Sequence, residues 1–131
     1  MAERFLIDTS AVIKYLNETL PAAGLAFLDK IVDAESIISF IAEIELQAWN
    51  PPNQDDLEIY QFFISSSTVI GVDDNIIKET IRIRKLFKLK LPDALIAATA
   101  ITNNMTLLAD NDRDFKQVPE LKYINPNTVA D

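Results

Sequence analysis

The chain has no cysteine and no histidine, and only two of its 131 residues are glycine. Without cysteine there are no disulfides, no thiol nucleophile and no Cys-based zinc site. Without histidine there is no Ser-His-Asp triad, no imidazole acid–base chemistry and no His-ligated zinc. What is left for catalysis is carboxylates, lysines, hydroxyls and a hard, oxygen-loving ion such as Mg²⁺ or Mn²⁺. Long apolar runs are missing too: none approaches the roughly 20 residues that span a bilayer. The first residues, Met1-Ala2-Glu3-Arg4, lack the pattern of a signal peptide. A soluble cytoplasmic protein without a membrane contact is therefore expected. Positive charge is scarce, with 12 Lys and Arg against 20 Asp and Glu, a net charge of −8 and a pI near 4.4. That argues against a broad electrostatic surface for nucleic acid. It does not exclude nucleic acid, because a metal locally inverts the charge of an acidic pocket.

Hydrophobic residues make up 49% of the chain, which excludes a disordered composition. The length fits one domain, residues 1–131, with a single substantial core. The most informative feature is a set of acids that follow apolar runs. Asp8 follows Phe5-Leu6-Ile7. Glu43 and Glu45 lie within Ile37-Ile38-Ser39-Phe40-Ile41-Ala42-Glu43-Ile44-Glu45-Leu46. Asp93 opens Leu91-Pro92-Asp93-Ala94-Leu95-Ile96-Ala97-Ala98-Thr99-Ala100. Asp110, Asn111, Asp112 and Asp114 follow Thr106-Leu107-Leu108-Ala109. A lone carboxylate is costly to bury. Several brought together repel unless a cation lies between them. The pattern points to a site for a divalent metal.

Residues 4–8 read as a short buried strand, and Thr9 or Ser10 can cap a helix running to about Asn17. Pro21 starts the next helix, whose Leu25, Leu28, Ile31 and Val32 recur at helical spacing. A strand over 35–39 follows, with Ser39 capping a helix that carries Ile41, Ile44 and Leu46. Asn50-Pro51-Pro52-Asn53 is the clearest break. A helix over 54–65, a strand over 68–71 and an amphipathic helix over 73–88 come next. The helix over 92–103 is almost wholly apolar and should be central. A strand over 106–109 and a short edge strand at 123–124 complete the elements, and the tail from Asn125 is polar. Strands alternating with helices imply a three-layer α/β/α fold around a mostly parallel sheet. Ligands of such sheets bind beyond the carboxyl ends of the strands, where Asp8 and residues 110–114 fall. Large apolar residues in the early helices, among them Tyr15, Leu16, Leu25 and Phe27, suggest a homodimer through apolar helix surfaces.

Each acid also has an ordinary explanation. Asp8-Thr9-Ser10 can be a helix N-cap region, and a carboxylate is favoured there by free N–H groups and the helix dipole. Glu43 and Glu45 lie on different sides of a helix, so both do not serve one site equally. Asp93 suits the first turn of its helix, although the burial of that helix places its N-terminus against the core. The 110–114 segment can be a solvated acidic turn. Lys88 and Lys90 are surface residues flanking the Asp93 turn, able to contact phosphate. Trp49 reads as a packing residue rather than a base-stacking platform.

Taken together, these segments resemble the PIN-domain family, and within it the VapC-type toxins of toxin–antitoxin pairs. The Asp8 segment is similar to the family's first-acid strand, and residues 91–100 to its third-acid helix. Ser39 to Leu46 resembles the family's Ser-x-Ile-Thr-x-x-Glu-Leu, a register that selects Glu45 over Glu43. Leu107 to Phe115 resembles Thr-x-Asn/Asp-x-x-Asp-Phe. Ala42 and Ala109 stand where hydroxyl residues are common, and Asn111 where some members have aspartate. The resemblance implies a metal-dependent endoribonuclease. Asp8, Glu45 and Asp93 would hold Mg²⁺ or Mn²⁺, with Asn111 or Asp114, or else Asp110 or Asp112, completing the ligand set. Asp8, Glu45, Asp93 and Asp114 would be the catalytic acids. It also implies an RNA substrate, dimerisation, and inhibition by an antitoxin whose tail enters the active-site groove. Two other functions fit parts of the pattern: a catalytically inactive PIN-fold scaffold, and a phosphotransfer or phosphatase domain with Asp8 as nucleophile.

Overall fold

The computed structural model describes residues 3–130. Five short strands are seen: β1 (Phe5–Ile7), β2 (Ile37–Ser39), β3 (Thr68–Ile70), β4 (Thr106–Leu108) and β5 (Tyr123–Ile124). The helices are α1 (Thr9–Leu16), α2 (Ala22–Ala34), α3 (Phe40–Ala48), α4 (Gln54–Ser65), α5 (Asp74–Leu86), α6 (Leu91–Thr102) and α7 (Asp112–Phe115), with a 3₁₀ turn at Pro126–Thr128. Every strand pairing is parallel, as the alternation of strands and helices predicts. The sheet is divided into two ladders, β1-β4-β5 and β2-β3, with β2 lying beside β1. The β1/β2 seam is crossed at its start by Arg4, whose guanidinium meets Glu35 at 3.2 Å.

Period-two alternation sends neighbouring strand residues to opposite layers. Leu6, Ile37 and Leu107 enter one core with Ile76, Ile83, Ile96 and Phe115. Their neighbours Ile7, Ile38 and Leu108 enter the other with Leu28, Leu46, Tyr60 and Phe63. The result is the expected three-layer α/β/α arrangement. Helix α6 is the apolar centre of the first layer, with Ala94, Ile96, Ala97, Ala98 and Ala100 fully buried. Tyr15, Leu16, Leu25 and Phe27 are half-buried against the second core, and Phe5 meets Phe27 edge-on at 5.8 Å. The large exposed apolar side chains lie elsewhere, at Ile44, Ile59, Phe62, Ile77 and Ile81 among others. Trp49 stacks on Tyr60 at 5.6 Å, a packing role.

Caps set the element starts. Asp8, Ser39, Asn53 and Asp73 each accept a hydrogen bond from a first-turn N–H of the helix that follows. Two pieces of the C-terminal third differ from the sequence reading. The acidic turn contains a short helix, α7, capped by Asn111. The polar tail is no loose end: Asn125 and Pro126 are buried, and the 3₁₀ turn packs on α2.

That last contact explains one of the two glycines. A Cβ on Gly24 would fall 2.0 Å from the carbonyl oxygen of Pro126, which is backbone and cannot step aside. Gly24→Ala should therefore destabilise the protein by about 1–3 kcal/mol through overpacking, despite the helix propensity it gains. A thermal melt checks this; an unchanged or raised Tm would show that α2 and the C-terminal turn separate freely.

Candidate metal and phosphodiester site

The carboxyl ends of β1, β2 and β4 point their following segments toward one place. Asp8 is the first residue after β1, and its own N–H donates to the Leu108 carbonyl at 2.9 Å, continuing the ladder by one step. Its carboxylate is 8% exposed. Ser10 donates to Asp8 Oδ2 through its hydroxyl at 2.6 Å and its backbone N–H at 3.2 Å. Glu45 stands on α3, which follows β2 without a loop, and Thr9 Oγ1 donates to its Oε1 at 2.6 Å. Asp93 occupies the first turn of α6, behind Pro92.

These three acids line one open pocket of about 340 Å³, with Thr9, Ser10, Ile13, Asp110 and Asn111. Glu43 is not among the lining residues. Asp114, on α7, is close enough to Asp93 to raise its pKa. Burial is the main reason that Asp8 is pushed up from 3.8 to about 6, offset in part by Ser10 and reinforced by the charges of Glu45 and Asp93. Asp93 is raised in the same direction by burial, then by Asp114 and Glu45, while Lys90 pulls the other way. The mutual repulsion anticipated from the sequence is thus present around Asp8 and Asp93.

The four polar residues that follow β4, Asp110, Asn111, Asp112 and Asp114, take different roles. Asp110 is neutralised by Lys14, whose Nζ lies 2.6 Å from its Oδ2, and its pKa is lowered chiefly for that reason. Asp112 is held below the usual range by the Tyr123 hydroxyl, which donates to it at 2.7 Å, and then by Asn125. Asn125 Nδ2 bridges the two, donating to Asp110 Oδ1 at 3.1 Å and Asp112 Oδ1 at 3.0 Å. The same Tyr123 hydroxyl accepts from the Asn111 N–H at 3.0 Å. Asn111 in turn donates from Nδ2 to Asp114 Oδ2 at 3.0 Å, and its Oδ1 accepts from the Asp114 N–H at 3.3 Å. Asn111 holds Asp114; Asp110 and Asp112 are fastened to the C-terminal segment.

The sequence offers Thr9 and Ser10 only as helix caps, whereas in the structure Asp8 caps α1 and both lie in its first turn. Their hydroxyls support Asp8 and Glu45. Lys14, Tyr123 and Asn125 carried no local signal, since their partners lie 11 to 113 residues away in sequence. Ala42 and Ala109, the residues that lack the common hydroxyls, are fully buried, and the hydrogen bonds to the acids come from Thr9, Ser10 and Asn111.

The donor set is entirely oxygen: carboxylates, with hydroxyl and amide support. That chemistry fits a hard divalent cation and does not fit a soft one. Among the described residues, no three carboxylates close into a tight cage. They line an open pocket, which leaves room for waters or a phosphate beside an ion. A separate cavity of about 420 Å³ lies at the opposite ends of the strands, around Phe5, Ile31 and the Arg4–Glu35 pair, and contains none of these acids.

The raised pKa of Asp8 has a defined consequence for stability. Below about pH 4 the group is protonated in folded and unfolded chains alike and costs nothing. Above about pH 6 it is charged in both, and the folded state carries the full burial cost. Metal-free stability should therefore fall as pH rises from about 4 to above 6, by about 3 kcal/mol from this group. Asp8→Asn keeps a capping side chain and should flatten that decline, melting above the parent at pH 7.5 in chelator. Melts at pH 4.5 and 7.5 in EDTA test it; parallel losses in both proteins would mean that Asp8 is not the strained group.

Comparison with known proteins agrees with this geometry. The PIN-domain family model matches residues 5–121. Ribonuclease VapC of Rickettsia bellii (strain RML369-C) is 47% identical over 51 residues, 39% of this chain and 34% of that protein. The match thus spans about a third of the curated relative's length. Among solved structures, VapBC2 from Rickettsia felis bound to a promoter DNA fragment superposes with a TM-score of 0.77 at 23% identity, covering 92% of this chain and 97% of that one. DNA-bound VapBC from Salmonella typhimurium gives 0.78 at 21%, covering 95% and 99%. At these identities the superpositions speak for the fold, and the family model for descent. The parallel sheet, the acids at its strand ends and the match over most of the sequence agree: the chain belongs to the PIN-domain family.

Proposed function

We propose that this protein is a divalent-metal-dependent endoribonuclease and the toxin of a toxin–antitoxin pair. The observation that carries the reading is the convergence of Asp8, Glu45 and Asp93 on one pocket, with Asp114 beside Asp93. Asp8, Glu45 and Asp93 would hold Mg²⁺ or Mn²⁺, with Asp114 completing the acid set. When bound, such an ion lowers the pKa of its water and neutralises charge developing on a phosphate. The chain's own residues do the rest. Ser10 and Thr9 fix the directions of the Asp8 and Glu45 carboxylates. Asn111 fixes Asp114. With no histidine in the chain, a carboxylate of the pocket that is not engaged by the ion would accept the proton of the attacking water.

The chain's relatives support the biological role. Neighbours of the same fold are toxin–antitoxin complexes, and an antitoxin protein is the proposed partner here. Exposed Ile44, Ile59 and Phe62 on α3 and α4 offer apolar area for a protein contact, and Ile77 and Ile81 on α5 offer area for a second copy of the chain. No helix among the described residues is long and apolar enough to cross a membrane, and we place the protein in the cytoplasm. A catalytically silent scaffold would need none of the strained acids, and the buried, elevated Asp8 favours the enzyme.

Asp93→Asn should raise the melting temperature in chelator, because it removes one of the repelling charges. The same change should abolish the stabilisation by Mn²⁺, about 2.7 kcal/mol at a hundredfold excess over the dissociation constant. RNA cleavage should fall by roughly 10²-fold or more, the loss of several kcal/mol of charge stabilisation. A lower Tm in chelator with a full Mn²⁺ response would remove Asp93 from the site. Glu45→Gln should behave like Asp93→Asn in cleavage assays, while Glu43→Gln should cleave as the wild type does. The reverse pattern would show that the wrong glutamate faces the metal.

A further inference from the structure

In a chain with so much acid, one stretch is basic. Residues 82–90 contain Arg82, Arg84, Lys85, Lys88 and Lys90, five of the twelve cations, and no Asp or Glu. Arg82 is engaged with Glu79 and Glu120. The other four are exposed and form no ion pair with any described residue. Arg84 and Lys85 lie in the last turn of α5, where a cation is favoured by the helix dipole. Lys88 has no such explanation, and Lys90 has only the charge of Asp93 nearby. Lys90 is the N-cap residue of α6, the wrong end of a helix for a positive charge.

Their placement is fixed. Leu89 is 5% exposed and anchors the connection between α5 and α6, leaving the lysines on either side of it in solvent. Gln117 clamps the backbone of Lys88: its Oε1 accepts from the N–H and its Nε2 donates to the carbonyl, each at 3.4 Å. The same Nε2 lies 3.4 Å from the Arg113 carbonyl. The clamp ties the lysine segment to α7, which carries Asp114 and the exposed Arg113. Asp93 is three residues beyond Lys90. The basic segment therefore borders the carboxylate pocket on its Asp93 and Asp114 side.

We propose that Lys88 and Lys90, with Arg113 across the Gln117 clamp, form a phosphate track on which the backbone of a single RNA strand lies as it enters the pocket. The inference rests on the ribonuclease reading and adds to it the surface that meets the substrate. A strand whose scissile phosphate reaches the acids must cross the pocket rim, and this rim is where unpaired positive charge is held in place. Contacts of this kind go to phosphates, so they position the strand without reading its bases.

The test is binding of a fluorescein-labelled single-stranded RNA of mixed sequence to Asp8→Asn protein in Mg²⁺, which leaves the RNA intact, over a series of salt concentrations. The double change Lys88→Gln/Lys90→Gln should weaken binding ~10-fold at low salt, equally for different RNA sequences. It should also flatten the slope of log affinity against log salt by about 1.4, or 0.7 for each lost contact. Lys30→Gln/Lys122→Gln, with the same change in net charge, should leave both unchanged. Equal effects of the two double changes would overturn the track, since net charge alone would explain them. RNA binding retained in full by Lys88→Gln/Lys90→Gln would overturn it as well. Failure of the ribonuclease reading looks different: neither the parent nor either variant binds RNA, and the wild type cleaves none.

Discussion

Like charge held together against its own repulsion is the constraint on which this structure depends. Asp8, Glu45 and Asp93 approach one pocket, and Asp8 does so almost out of contact with water. Left to themselves, these groups would move apart or take up protons. The fold prevents the first. Asp8 is locked into the β1-β4 ladder, α3 begins directly after the last residue of β2, and Pro92 and the buried face of α6 fix the turn that carries Asp93. The raised pKa values of Asp8 and Asp93 reflect burial first and the neighbouring charges second. Such an arrangement is unfavourable in isolation and becomes favourable once a cation shares the charge. In the proposed enzyme the strain and the function are the same feature.

The acids that follow β4 show how a fold separates carboxylates that look alike in sequence. Asp110 and Asp112 carry lowered pKa values because each has a donor or a cation in contact. They act with Lys14, Tyr123 and Asn125 as a polar clasp joining α1, β5 and the C-terminal turn. Gly24 lets that turn lie directly on α2. Through the clasp and the Asn111 hydrogen bonds, the far C-terminus helps determine where Asp114 sits beside Asp93. The shifts at Asp8 and Asp110, which both line the pocket, have opposite signs because burial dominates at the first and the Lys14 contact at the second.

Much of this was legible in the sequence, for physical reasons that differ by element. The three-residue strands are followed at once by capped helices, so Asp8 and Ser39 mark both the strand end and the helix start. Helix α6 is so apolar that its burial, and hence the depth of Asp93, could be read directly. The choice of Glu45 over Glu43 came from the family register, since helical geometry alone only separates the two. Long-range polar pairing was not legible. Nothing local joins Lys14 to Asp110 or Asn125 to Asp112, so the loop acids could not be sorted and the tail read as merely polar. The split of the sheet at the β1/β2 seam was equally hidden.

The central claim is that the strained acids surround a cation position. It is tested most directly by anomalous diffraction from crystals soaked in Mn²⁺. The account predicts a single strong peak bounded by Asp8, Glu45 and Asp93, with Asp114 at its edge and Asp110 still paired with Lys14. A peak seated between Asp110 and Asp112, or no peak in the pocket at saturating Mn²⁺, would contradict it.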